Sequence, residues 1–331
     1  MDFVKINMKL YILNSTDPYR NLAIEEYLFL HEQDDVFMLW QNEPCVVIGK
    51  NQNAYVEVDL DYLRQNGIHL VRRITGGGAV YHDLGNVNYT FISATGEQGI
   101  DFAAFTAPVI AALATLGVRA TLSGRNDLLV GGRKFSGNAQ HSANGRTLHH
   151  GTLLFDSDLD VLSSALRPDE QKLRSKAVAS ARSRVTNLAP LLAERATTGE
   201  FIGKIASFVR EKYHPEEAVA PTGAEIEALR ERNASRAWLF PDRDLLASYT
   251  VTVRQRYPFG SVEISRNMHN DRITAICVRG DFFGVRPIEE LEQLLTGADM
   301  GDLGALLDAV SVGEYVNGME KQQLIELLQQ I

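Results

Sequence analysis

Just beyond a pair of arginines, Arg72 and Arg73, the chain runs through Gly76, Gly77 and Gly78 in the stretch VRRITGGGAVYHDLGNVNYTF. A glycine run has no Cβ atoms, so backbone N–H groups can approach an anion closely and take dihedrals closed to other residues. Adjacent guanidinium groups add the fixed positive charge that grips phosphate. The stretch fits neither GxxxxGK followed by Ser or Thr nor GxGxxG. Spacing alone leaves a tight loop between core strands as an equal account of it.

In GRNDLLVGGRKFSGNAQ, Lys134 precedes Ser136, Gly137 and Ala139, small residues that leave room for a ligand beside a lysine. Taken by itself, a solvated hairpin lysine is the simpler account. Asp127 suits either a magnesium contact or a turn. Residues 171–189, QKLRSKAVASARSRVTNLA, hold Lys172, Arg174, Lys176, Arg182 and Arg184 and no acid. Without interleaved aromatics they lack the stacking platform of a single-strand nucleic-acid site. They suit a loop that closes over phosphates, or else a solvated basic helix face. TLHHGTLLFD carries His149 and His150 on an apolar strand; strand neighbours face opposite sides, so at most one readily serves a given pocket, and zinc is discounted.

The elements that must position these residues follow an α+β pattern. Asp17-Pro18 opens a helix running to about Glu32, with Leu22, Tyr27 and Leu30 near helical spacing and Glu25 and Glu26 on other faces. VFMLW, CVVIG, IHLVRR and VNYTFIS read as buried strands of one sheet. Helices are expected over 102–116, 158–166 and 200–212, and DLLVGGRKFSG as a hairpin turning at Gly131-Gly132. From about Tyr213 to Asp244 the texture shifts to Pro215, Pro221, Pro241 and a charged helix over 225–232. The expected boundary lies late in that stretch, giving a catalytic domain over 1–244 and an accessory domain over 245–331. The latter opens with the strands SYTVTVRQ, GSVEISRN and RITAICVRG, with Asn270-Asp271 as a turn.

Composition narrows the classes. The 331 residues are 45% hydrophobic and 23% charged, with 33 basic against 42 acidic side chains, a net charge of −9. That excludes a disordered or fibrous chain and removes any general attraction to DNA or anionic membrane, so an anionic ligand needs a local site. No apolar run reaches the length of a membrane span and no signal segment opens the chain, which makes a cytoplasmic address the expectation. Cys45 and Cys277 lie far apart without CxxC spacing and read as small core residues.

In order, RRITGGGAVYHDLGN, GRNDLLVGGRKFSG, HHGTLL and SARSRVTNL closely resemble the lipoate-protein ligase A family, with NLAIEEYL and VVIGKNQN extending the likeness toward the N-terminus. The resemblance implies a mixed-sheet core similar to biotin ligases and octanoyltransferases, with a small α+β accessory domain. It implies ATP-dependent activation of lipoate (or octanoate) to acyl-AMP with Mg2+, then transfer to a lysine of lipoyl domains of 2-oxo-acid dehydrogenase complexes or of the glycine-cleavage H protein. Nucleic-acid and membrane partners are not expected. By the same likeness Arg73 and the backbone of Gly78, Ala79, Val80 and Tyr81 hold the nucleotide, and Lys134 bridges the lipoate carboxylate and the α-phosphate. His150 and Gly151 lie beside the acyl pocket, and the basic segment orders over the adenylate. No metal ligand is assigned beyond Asp127 as a candidate. Where family members often continue QNPW, this chain has Gln52, Asn53, Ala54 and Tyr55, at the implied edge of the acyl or acceptor site. The alternatives are a same-fold octanoyltransferase working through a cysteine thioester, and a non-catalytic lipoate- or nucleotide-binding protein.

Overall fold

The structure, a computed structural model, describes residues 7–94, 100–124, 126–166 and 184–330. Its frame is an eight-stranded mixed sheet. In chain order the strands are β1 Met8–Ile12, β2 Asp35–Trp40, β3 Cys45–Ile48, β4 His69–Arg72, β5 Val80–His82, β6 Asn86–Ala94, β7 Thr121–Ser123, β8 Asp127–Val130, β9 Arg133–Ala143, β10 Arg146–Leu154 and β11 Glu216–Ala218. The large sheet runs β11-β1-β2-β6-β10-β9-β8-β7. Its β11, β1 and β2 are parallel, and every pairing from β2 onward is antiparallel. A smaller sheet, β4-β3-β5, stands beside it. The single sheet expected from the sequence is therefore two, because a short apolar run does not disclose its partner strand.

Alternation along β6 shows how the core divides. Val87, Tyr89 and Phe91 join the core that holds Phe105, Val109, Phe201 and Ile205, from α2 Phe102–Thr115 and α3 Thr198–Tyr213. Ile92 joins the core of the other face, beneath α1 Pro18–His31. Burying each large apolar side chain contributes roughly 1.5–3 kcal/mol, and helices cover both faces. Asp17 caps α1 by accepting from the backbone N–H groups of Tyr19 and Arg20. Thr197 and Glu200 form a reciprocal capping box at α3.

One helical face differs from expectation. Glu25 is buried and Leu30 is about half exposed. Glu25 lies at i+3 from Leu22 and i−3 from Leu28, inside the apolar arc rather than beside it.

The charged helix, α4 Ala224–Ala234, is not a free linker. It lies on α1, joined by Arg230–Asp17 at 2.6 Å, His31–Glu225 at 2.7 Å and contacts of Arg20 with Glu227 and Arg232 with Glu26. Ile226 supplies its buried apolar anchor. Beyond it, β12 Val251–Tyr257, β13 Gly260–His269 and β14 Arg272–Gly280 form an antiparallel sheet. That sheet packs on α5 Ile288–Leu295 and α6 Lys321–Gln329 around its own core, including Val262, Ile264, Val278, Leu291 and Leu327. Asn270 and Asp271 both take positive φ, 48° and 60°, in the two-residue turn between β13 and β14.

Candidate functional site

The β8–β9 hairpin presents the lysine. Gly131 and Gly132, at φ 56° and 78°, make its two-residue turn. Leu128 pairs with Ser136 but Leu129 pairs with Lys134, so Phe135 is an extra residue on β9. This bulge sends Phe135 wholly into the core while Lys134 faces a cleft. Lys134 Nζ lies 2.7 Å from Asp127 Oδ1. A Cβ at Gly137 would sit 3.1 Å from that Nζ, so glycine there leaves the lysine its path. The Thr186 N–H donates to the Lys134 carbonyl at 2.9 Å, and Val185 bridges to the same residue. The end of the basic segment thus runs against the lysine's strand. Arg184 in it is exposed, whereas Lys172, Arg174, Lys176 and Arg182 lie outside the described residues.

Arg73, just past the end of β4, is buried and lines the same cleft. Its Nε donates to Thr75 Oγ1 at 2.9 Å, Nη1 to the Val47 carbonyl at 3.1 Å, and Nη2 to the carbonyls of Gly76 and Gly78 at 2.7 and 2.9 Å. Burial pulls this guanidinium down to about 10, with Glu25 opposing the shift. Its donors fix the shape of the glycine loop. The Gly77 N–H donates to the Phe282 carbonyl at 3.2 Å, and a Cβ on Gly76 would stand 2.4 Å from that oxygen. The C-terminal unit therefore abuts the loop through backbone that only glycine admits.

Gly78, Ala79, Val80, His150 and Gly151 join Arg73 and Lys134 around this cleft of about 590 Å³. Tyr81, by strand alternation, turns its side chain away into the cluster with Val46, Ile48 and Leu63. Gln52, Asn53, Ala54 and Tyr55 do not line the cleft. Gln52 accepts from the Gly49 N–H at 2.9 Å, Asn53 donates to the Asp244 carbonyl at 2.8 Å and Tyr55 packs on Phe240, so this departure braces the junction with the C-terminal unit.

Sequence reasoning passed over Leu22, Trp40, Val47, His82 and Asn88, which line the same cleft. It also missed a buried hydrogen-bond chain. Trp40 Nε1 donates to Thr90 Oγ1 at 3.0 Å, and Thr90 donates to Glu25 Oε1 at 2.6 Å. Glu25 meets His150 Nδ1 at 2.9 Å, and His150 Nε2 meets Thr75 Oγ1, Arg73's partner, at 2.9 Å. The available signal was Glu25 itself, an acid within an apolar helical arc. His149 points to the other face, stacked on Phe105 at 5.2 Å.

Burial lowers His82 to about 3, His141 to about 4 and His149 well below the ordinary histidine value. Each stays unprotonated in the folded protein at pH values where the unfolded chain takes up a proton. Stability is therefore full above the unfolded value near 6.5 and falls as the pH drops toward those folded values, by at most about 4 kcal/mol per pH unit for the three together. Urea midpoints from pH 7.5 to 4.5 test this; a flat profile between 7 and 5 would rule it out.

A family profile described as the lipoyl protein ligase A/B catalytic domain matches residues 17–209, and one for the bacterial lipoate protein ligase C-terminus matches 247–328. The chain belongs to the lipoyl protein ligase A/B family. Within it, the chain is 38% identical over 326 residues to lipoate-protein ligase LplJ of Bacillus subtilis (strain 168), covering 95% of this chain and 98% of that one. The P. falciparum LipL1 structure in complex with lipoate superposes with a TM-score of 0.83 at 22% identity, over 98% of this chain and 100% of that one, a likeness of fold. A bipartite lipoate protein ligase of Thermoplasma acidophilum, studied with its E2 lipoyl domain, gives 0.62 at 28% identity over 71% and 96%. A lipoate-protein ligase A bound with ATP gives 0.58 at 26% identity over 70% and 98%. In this member of the ligase A/B family, among the described residues, no helix is long and apolar enough to cross a membrane.

Proposed function

We propose that this chain is an ATP-dependent lipoate-protein ligase, which activates lipoate to lipoyl-AMP and passes the acyl group to a specific lysine of lipoyl domains. The observation that carries this reading is one cleft with two chemistries. Lys134, Arg73 and the glycine loop supply its polar lining, and Leu22, Trp40 and Val47 add apolar lining. Such a cleft holds an acyl chain with its carboxylate directed to a cation.

A carboxylate is a poor electrophile, and adenylation, in which its oxygen bonds the α-phosphorus of ATP as the α–β anhydride breaks and pyrophosphate leaves, gives it a leaving group while negative charge builds on the phosphoryl oxygens. Lys134 sits on a strand bulge, so its ammonium is positioned in advance for that charge. The same ammonium faces the oxygen that becomes negative when the acceptor amine attacks the mixed anhydride. Attack forms the amide bond, breaks the acyl–phosphate bond and releases AMP. Arg73 keeps the loop carbonyls turned inward, leaving Gly78, Ala79 and Val80 to line the nucleotide side of the cleft. The described end of the basic segment, Val185 and Thr186, runs against the strand of Lys134.

Magnesium finds no cage here. Among the described residues there is no group of three or more His, Cys, Asp or Glu side chains suited to a metal, and Asp127 is paired with Lys134. A magnesium ion would ride on the nucleotide phosphates and water with one or two protein carboxylates at most. The acceptors are lipoyl domains, of the 2-oxo-acid dehydrogenase type or the glycine-cleavage H protein. With a net charge of −9, recognition rests on a local patch rather than a general field.

Lipoate-dependent exchange of labelled pyrophosphate into ATP tests the reading directly, and its absence with every acyl acid would refute it. Thiol chemistry separates the ligase from a thioester-forming transferase. Cys45 and Cys277 are both buried, and burial pushes the Cys45 thiol far up. Alkylation under native conditions is expected to leave both half-reactions within about twofold of the untreated rate, whereas a cysteine transferase would lose nearly all activity.

A further inference from the structure

Two buried nitrogens on the lining of the cleft have no partner among the described residues. His82 and Asn88 both line it, both are buried, and among the described residues His82 Nε2 and Asn88 Nδ2 make no hydrogen bond. The surrounding network fixes which kind of group each presents. Asn21 Nδ2 faces the carbonyls of Ser15 and Gln41 at 2.9 and 2.8 Å and also donates to Asn42 Oδ1 at 3.0 Å. Asn42 therefore turns its Nδ2 to His82 Nδ1, 3.1 Å away. With Nδ1 accepting, the tautomer assigned by this network carries its proton on Nε2. Asn88 Oδ1 accepts from Asn86 Nδ2 at 2.9 Å, which leaves the Asn88 Nδ2 hydrogens unused. Burial, with Arg73 and His150 nearby, holds His82 at about 3, so it remains a single-proton donor at working pH.

Position ties these donors to the far end of an acyl chain. Asn88 pairs across the sheet with Trp40 on β2 and Thr152 on β10, so these side chains share one face. Lys134 stands on β9, two strands from β6, roughly 10 Å away at the usual strand spacing. A medium-length acyl chain whose carboxylate meets Lys134 therefore brings its distal carbons toward Asn88, whose cross-strand partner Trp40 packs edge-on against the His82 ring.

Resting on the ligase reading above, we infer that His82 and Asn88 select for an acyl acid carrying hydrogen-bond acceptors at its distal end, the ring sulfurs of a dithiolane, over an all-carbon chain. Sulfur accepts weakly, yet a hydrocarbon accepts nothing and leaves both buried donors unpaired. Ring shape contributes separately, so the decisive comparison holds shape constant and removes sulfur.

The experiment measures binding of lipoate, 5-cyclopentylpentanoate and octanoate to the full-length protein by calorimetry, with pyrophosphate exchange run alongside on the same acids. Lipoate is expected to bind about five- to tenfold more tightly than its carbocyclic analogue, the value of roughly one net hydrogen bond. Equal affinity for these two, or no binding of any acid, overturns the inference whatever exchange shows. Tighter lipoate binding without exchange upholds it while refuting the ligase reading. Asn88→Leu is expected to shrink the lipoate-to-carbocycle ratio toward one, and an unchanged ratio in a folded variant overturns the part assigned to Asn88. The wild-type comparison decides the rest even where the variant fails to fold.

Discussion

Replacing Lys134 with alanine should lower lipoate-dependent pyrophosphate exchange by about a hundred- to a thousandfold, the usual cost of removing one preorganised charge stabiliser. The fold should survive, because the side chain is more than a third exposed and the bond from Thr186 reaches the backbone carbonyl, which alanine retains. Transfer from supplied lipoyl-AMP should fall as well, if, as proposed, one ammonium serves both developing oxyanions. Loss confined to kcat would mark an interaction made in the transition state, whereas a rise in KM alone would mark ground-state binding. Asp127→Asn leaves the lysine in place and removes only its counter-charge, so its effect should be far smaller. Exchange within about fivefold of wild type in Lys134→Ala would remove the lysine from the chemistry.

Much of this arrangement was legible in the chain. The Gly131-Gly132 turn, the capped start of α1 and the opposite facing of His149 and His150 follow from local rules: positive φ, side-chain capping and strand alternation. What local rules do not carry is pairing across long sequence distances. Val58 bridges to Leu166 and Lys134 to Val185, and neither contact leaves a trace in periodicity. The bulge at Phe135 was equally silent, since an extra residue shifts facing only when the register with β8 is known. Glu25 is the instructive miss. A carboxylate on α1 looks like a solvated residue until β10 brings His150 beneath it, and the buried pair then explains why an acid sits among Leu22, Leu28 and Phe29.

The Gly-rich loop also reads differently once its surroundings are in place. Arg73 was assigned to the nucleotide by resemblance, yet its donors meet Val47, Thr75, Gly76 and Gly78. A guanidinium so engaged acts on a ligand chiefly through the loop that it shapes and through its charge. Phe282 meets that loop from the C-terminal side, so the loop's backbone donors are shared between cleft and neighbouring unit.

That sharing makes the junction a second place where one substitution should matter greatly. Asp244 is wholly buried between Arg72, at the end of β4, and Arg279, at the end of β14. Arg72 also donates to the carbonyls of Gln52, Trp238 and Leu239 at 2.6, 2.9 and 2.8 Å, so its geometry is held from several sides. Removing the carboxylate leaves two buried guanidinium groups facing each other without their common anion. Asp244→Ala should therefore cost about 3–5 kcal/mol, well beyond an exposed ion pair. Asp244→Asn keeps an acceptor and should cost less. If the penalty is uncompensated charge rather than lost packing, Arg279→Met in the Asp244→Ala background should recover part of it, because one buried cation is then gone. The same substitution should loosen the seat of the C-terminal unit on Gly76 and Gly77, speeding proteolysis between α4 and β12 before global unfolding. Urea midpoints for the single and double variants, with limited proteolysis on each, measure both effects. A loss below about 1 kcal/mol would show that the backbone carbonyls around Arg72 suffice without Asp244.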